Sequence, residues 1–136
     1  EHPEALAEKL GIRKPLIGFH DPEDLNKIIN YCDLYVHPAD VEIEAIAALE
    51  AITCGLVPVI NNSERSATRY FARDGRNLFD GTPEDLAKKI DYWVEHPEEK
   101  AAEAAEYIEY GKRFELGHCI DQMEKMFEDI INDNVK

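Results

Sequence analysis

Four short apolar runs, each separated from the next by a stretch of helical periodicity, constrain the fold of this chain most strongly. They are Pro15-Leu16-Ile17-Gly18-Phe19, Leu34-Tyr35-Val36, Val57-Pro58-Val59-Ile60 and Asn77-Leu78-Phe79. Strands of this length that alternate with helices cannot be joined by hairpins. They form βαβ units with a parallel sheet covered on both faces. The expected fold is therefore a doubly wound, Rossmann-like α/β layer with right-handed crossovers. Four strands are fewer than the six of a full dinucleotide-binding sheet, so the chain reads as part of something larger.

The helices between the runs carry their own signals. Glu4–Leu10 ends at Gly11, a helix-stopping residue. Asp21-Pro22 opens a helix with Leu25, Ile28, Ile29 and Cys32 on one stripe, Asp21 being the N-cap. Glu42–Cys54 is apolar on almost every side and is expected to be a buried helix. Ser66–Arg73 reads as a short helix, Thr82 caps a helix from Pro83 to Glu95, and Pro97 opens another that ends near Gly111. A last helix, within 115–134, places Leu116, Ile120, Met123, Phe127, Ile130 and Ile131 on one face. One domain over residues 1–136 accounts for the whole length.

Charge narrows the partners. Fifteen Lys and Arg against 29 Asp and Glu leave a formal net charge of −14, which disfavours nucleic acid as a general partner. No apolar run approaches the roughly 18 residues of a membrane-spanning helix. Cys32, Cys54 and Cys119 are odd in number and form no CxxC, against a disulfide framework or a structural zinc. The sign reverses only at Arg65, Arg69, Arg73 and Arg76. The first three are four apart and on a helix would drift by about 40° per step, making one basic stripe. Such a stripe is either a solvated face balanced by acidic neighbours or a surface for an anionic lipid layer or another domain.

In open parallel sheets, ligands bind beyond the carboxyl ends of the strands, where helix N-termini offer unpaired N–H groups. The loop His37–Glu42 is the most informative of these. Glu42 and Glu50 are eight residues apart, at most roughly 12 Å along a helix. That spacing suits an extended ligand such as a nucleotide diphosphate-sugar, with one carboxylate at each hydroxylated end and the diphosphate at the helix N-terminus. The competing readings are a structural ion pair for Glu50, a dipole-favoured helix-start acid for Glu42, and plain polar loop residues for His20 and His37. Glu42-Ile43-Glu44 lacks an accompanying histidine and the chain has no Asp-x-Asp, so no metal is expected.

His37-Pro38-Ala39-Asp40-Val41-Glu42 and Leu49-Glu50-Ala51-Ile52-Thr53-Cys54-Gly55-Leu56-Val57-Pro58-Val59-Ile60 together resemble the E-x7-E region of the retaining glycosyltransferases of family GT4. Ile17-Gly18-Phe19 with Asp24-Leu25 resembles the strand and helix before that motif, and Pro83-Glu84-Asp85-Leu86 the helix after it. Ser66-Ala67-Thr68-Arg69-Tyr70-Phe71-Ala72 looks most like the branch containing bacterial cholesterol and diacylglycerol glucosyltransferases. The resemblance implies the C-terminal, donor-binding half of a GT-B fold and hexosyl transfer from a nucleotide diphosphate-sugar, UDP-glucose or a close relative, to an acceptor hydroxyl of a lipid or glycan. It gives Glu42 the contact to the reacting sugar and Glu50 the ribose hydroxyls. The backbone N–H groups of Ile43, Glu44 and Ala45 would line the diphosphate, and Gly18-Phe19 would flank the base. It further implies no cofactor, an N-terminal acceptor-binding half as partner, a cytoplasmic location and peripheral contact with the inner face of the membrane. The family's Gly-Phe-Gly after the first Glu is here Ile43-Glu44-Ala45, which restricts the backbone and adds a negative side chain. The alternatives are a non-catalytic sugar-nucleotide-binding or regulatory domain and a GT-B-like sugar-nucleotide epimerase.

Overall fold

The structure is a computed structural model that describes residues 2–133. Three parallel strands, β1 (Leu34–His37), β2 (Val57–Asn61) and β3 (Leu78–Phe79), lie in the order β1-β2-β3. Leu34 is opposite Val57 and His37 opposite Ile60, while Ile60 and Asn61 face Leu78 and Phe79. All five residues of β2 are buried, as a central parallel strand covered on both faces requires. The α/β architecture with an open parallel sheet is thus the expected one.

Around the sheet run α1 (Pro3–Leu10), α2 (Pro22–Ile29), α3 (Ile46–Thr53), α4 (Pro83–Glu95), α5 (Pro97–Gly111) and α6 (Leu116–Asp133). Local chemistry sets most of their ends. Gly11 adopts φ 66° after α1, the Asp24 N–H donates to the Asp21 carboxylate at 2.9 Å, and the Asp85 N–H donates to the Thr82 hydroxyl at 3.2 Å. The core is Ile52 of α3, Val57 and Val59 of β2, Phe79 of β3, Trp93 of α4 and Tyr107 of α5. Helix α5 lies so close to α3 that a Cβ on Gly111 would come within 2.9 Å of Thr53 Cγ2. No helix among the described residues is long and apolar enough to cross a membrane.

Four expectations change. Pro15–Phe19 is not a strand, and Leu16, Ile17 and Phe19 are exposed. An apolar run becomes a strand only by pairing, and a run carrying Pro15, which has no N–H, and Gly18 has little propensity to persist without a partner. The helix expected from Glu42 begins at Ile46, because Glu42 instead pairs with the chain at Ser66: its N–H donates to the Arg65 carbonyl at 3.3 Å and its carbonyl accepts from the Ala67 N–H at 2.9 Å. That helix buries one face, through Ala48, Ala51 and Ile52, while Ile46 stays exposed. Finally, the Ser66–Arg73 segment is a five-residue 3-10 turn, Ala67–Phe71, and not an α-helix. Arg65 precedes that turn and Arg73 follows it, so Arg65, Arg69 and Arg73 share no helical stripe. The last helix was placed as expected up to Asp133, with residue 134 outside the described range; its apolar residues are exposed throughout.

The arginines find acids within the molecule. Arg65 pairs with Asp40, and Arg69 lies over the Tyr70 ring at 5.9 Å. Arg73 reaches Glu103 at 3.2 Å and Glu106 at 2.9 Å, while Arg76 reaches Asp74 at 2.7 Å and Glu103 at 3.1 Å and stacks over Trp93 at 5.3 Å. Glu103 is only 6 % exposed, so these two guanidinium groups compensate a carboxylate that would otherwise be buried alone.

Two stability predictions follow from this packing. Ala45, the residue before α3, is left-handed at φ 52°, whereas Ala48 is fully buried inside the helix. Replacing Ala48 with Gly should cost about 2 kcal/mol in urea unfolding, from lost helix propensity and a lost buried methyl. Ala45→Gly should stay within about 0.5 kcal/mol of the parent, because relief of left-handed strain offsets the lost methyl. Removing both Arg73 and Arg76 by alanine should cost about 3–5 kcal/mol, and adding Glu103→Leu should recover a clear part of it. Equal losses with and without Glu103→Leu would show that the carboxylate is not what the arginines stabilise.

Candidate functional site

Because the strands are parallel, the loops after β1, β2 and β3 all emerge at one edge of the sheet. The loop after β1 has little regular structure of its own and is held by the segment after β2. Its first residue, His37, is a buried strand-end residue and not a solvated loop histidine: Nδ1 lies 3.0 Å from the Tyr35 hydroxyl and Nε2 lies 3.1 Å from the Thr68 hydroxyl. The Pro38 carbonyl accepts from Asn61 Nδ2 at 3.3 Å. Asp40 offers its backbone carbonyl and its carboxylate to the Ser63 hydroxyl, both at 2.7 Å, and its other carboxylate oxygen to Arg65.

Beyond Asp40 the chain turns back on itself around Glu42. The N–H groups of Ile43 and Glu44 donate to Glu42 Oε1 at 2.8 and 3.3 Å. Hydrogen bonds from the backbone of Ile43, then of Ala45 and Glu44, hold the Glu42 carboxyl below the usual carboxylate range. The three amides that the resemblance assigns to a diphosphate therefore do converge on an anion. The anion they hold in this structure is the carboxylate of Glu42 itself. The left-handed conformation falls on Ala45, where the family pattern has its second glycine, and it turns the chain out of the loop into α3.

Glu50 stands on the exposed side of α3. It lines a groove of about 290 Å³ between α2 and α3, together with Pro22, Leu25, Asn26, Ile29, Thr53 and Cys54. Among the described residues no hydrogen bond or ion pair engages its carboxylate, so Glu50 is not the buried structural ion pair that a fully buried helix would require. Both acids are near enough to act on one group: burial first, then the charges of Glu42 and Glu50, push the Tyr35 hydroxyl above its ordinary range. The structure thus gathers the amides of Ile43, Glu44 and Ala45 on the Glu42 carboxylate after β1 and leaves Glu50 exposed further along α3. Gly18 and Phe19 do not line the groove beside Glu50. Phe19 is fully exposed, and the walls of the groove come from α2 and α3 instead. Among the described residues no group of three or more His, Cys, Asp or Glu is placed to hold a metal ion.

Sequence reasoning missed the Tyr35–His37–Thr68 chain and the Asp40–Ser63–Arg65 tie. The only trace of the first was the alternation of Tyr35 and His37, which puts both on one face of β1. The second joins residues more than twenty positions apart and has no local signature.

The depressed Glu42 carboxyl sets a pH window. A carboxylate favoured by the folded loop contributes fully above its ordinary value near 4.5 and is lost as pH falls through its lower folded value. In an NMR titration from pH 7 downward, the amide signals of Ile43 and Glu44 should stay fixed to about pH 4.5 and move together below it. A shared midpoint at or above that value would show that Glu42 is not their acceptor.

Known proteins resemble this chain in sequence and fold. The family described as glycosyl transferases group 1 matches residues 1–114. The catalytic domain of cholesterol-alpha-glucosyltransferase from Helicobacter pylori superposes with a TM-score of 0.76 at 48 % sequence identity, over 81 % of this chain and 69 % of that one. The lipopolysaccharide glucosyltransferase WaaG of Escherichia coli (strain K12) is 42 % identical over 69 residues, which is 51 % of this chain and 18 % of that relative's length. With the family pattern covering most of the chain, and with the sheet, the loop after β1 and the two acids placed as above, the chain belongs to the glycosyl transferases group 1 family, with the fold of a GT-B glycosyltransferase domain.

Proposed function

We propose that this chain is the donor-binding half of a retaining glucosyltransferase that takes UDP-glucose and passes the sugar to an acceptor hydroxyl held by a separate N-terminal half. The observation that carries the reading is the Glu42 carboxylate held on the 43–45 amides after β1, together with an exposed, unpaired Glu50 on the α3 that follows. A sugar nucleotide has three parts to recognise. Ribose presents two hydroxyls that a carboxylate accepts well, and Glu50 has both oxygens free for them. The diphosphate needs N–H donors, and the Ile43, Glu44 and Ala45 amides form a ready anion cradle. When the diphosphate enters, the Glu42 carboxylate is displaced from those amides towards the hydroxyls of the donor sugar.

Catalysis in such a site is orientation together with stabilisation of charge on the leaving diphosphate. The amides supply that stabilisation without a metal ion. The two relatives support the glucosyl part of the reading: one is a cholesterol-alpha-glucosyltransferase and the other a lipopolysaccharide glucosyltransferase. The acceptor of this protein is expected to be a lipid or glycan, presented by the N-terminal half.

The test is an amide NMR titration of the chain with UDP and UDP-glucose into the millimolar range, repeated with EDTA. Shifts should concentrate at residues 43–45 and along the α2–α3 groove, and EDTA should leave them unchanged. Glu50→Gln should weaken UDP about tenfold or more, the size of a lost hydrogen-bonding carboxylate, at an unchanged melting temperature. Binding of UDP equally by the parent and by Glu50→Gln would refute the ribose assignment.

A further inference from the structure

We propose that Thr68, acting through His37, and Ser63, acting through Asp40, are positioning residues of the donor site; the proposal rests on the sugar-nucleotide reading above. The loop that carries Glu42 contains no helix or strand of its own before Ile46. Its conformation is imposed by the end of β2 and the segment after it, through contacts at His37, Pro38 and Asp40 before Glu42 and at Glu42 itself. The main chain of Glu42 is clamped directly, donating to the Arg65 carbonyl and accepting from the Ala67 N–H. Whatever moves residues 63–68 therefore moves Glu42 and the three amides behind it.

The ties are unequal, and their burial ranks them. His37 is 9 % and Thr68 0 % exposed, so the 3.1 Å contact between them lies where no water can replace it. The Tyr35 hydroxyl occupies the other ring nitrogen, so the imidazole is fixed at both ends and cannot turn to find a new partner for Nε2. Asp40 and Arg65 are each more than half exposed, and such a pair alone holds little. Ser63 matters more than Arg65 here: its hydroxyl meets both the backbone and the side chain of Asp40 and so fixes the turn leading to Glu42. It also accepts the Arg65 N–H at 3.2 Å, which joins the clamp on Asp40 to the clamp on Glu42.

The experiment uses the 136-residue chain with UDP-glucose as probe and compares Thr68→Val, Thr68→Ser and Ser63→Ala. Thr68→Val keeps the shape and removes the hydroxyl. It should shift the Ile43 and Glu44 amide signals before any ligand is added and weaken UDP-glucose about tenfold. Thr68→Ser restores the hydroxyl and should return both the signals and the affinity to within about twofold of the parent. Ser63→Ala, at a partly exposed position, should move the same signals and weaken binding about threefold while the melting temperature is unchanged. If Thr68→Val does not fold, Ser63→Ala and the Thr68→Ser control decide the matter. Parental loop signals and parental affinity in folded Thr68→Val and in Ser63→Ala would overturn the positioning role. Failure of the parent chain itself to bind UDP or UDP-glucose would overturn instead the donor-site reading on which that role depends.

Discussion

The ladder between β1 and β2 is the constraint on which the rest of the molecule depends. A parallel pair cannot be joined by a tight turn, so the chain must leave β1, cross one face of the sheet as α3 and re-enter at β2. That crossover places α3 on the sheet and brings the ends of β1 and β2 out at one edge. The register that sets His37 opposite Ile60 also decides which residues of the two emerging loops meet. Asn61 can reach Pro38 and Ser63 can reach Asp40 only because the strands end side by side.

A chain with a net charge of −14 that has an anion site must find positive potential without many cations to spare. The arginines are largely committed elsewhere: Arg73 and Arg76 compensate the buried Glu103 and stack on Tyr107 and Trp93, and Arg65 is tied to Asp40. What remains at the site is backbone. The N–H groups of Ile43, Glu44 and Ala45 carry partial positive charge that needs no side chain, and the Glu42 carboxylate already rests on them. An acidic surface and an anion cradle are compatible for that reason.

Much of this was legible in the residues. The apolar runs at 34–36, 57–60 and 77–79 became β1, β2 and β3, and the caps at Asp21 and Thr82 and the stop at Gly11 lie where their chemistry demands. Glu42 and Glu50 stand out by their spacing, and the family resemblance points to them and to the 43–45 amides. The run at Pro15–Phe19 failed because strand formation is a property of a pair and not of a segment. The helix start failed at Glu42 because apolar periodicity cannot register a backbone bond to Arg65 and Ala67 twenty-odd residues away. The arginine stripe failed for a related reason, since a spacing of four implies one face only if the segment is an α-helix, and here it is a short 3-10 turn.

By itself the sequence determined the class of fold and the positions of most of the helices, and it singled out the two acids, because these rest on periodicity, capping and short-range spacing, all of which act within a few residues. Only the tertiary structure decided which face of α3 is buried, why Glu50 is exposed and unpaired while Glu103 is buried between two arginines, and how the loop around Glu42 is held. Those outcomes depend on contacts between residues distant in sequence, whose partners are selected by strand register and helix packing and leave no local trace.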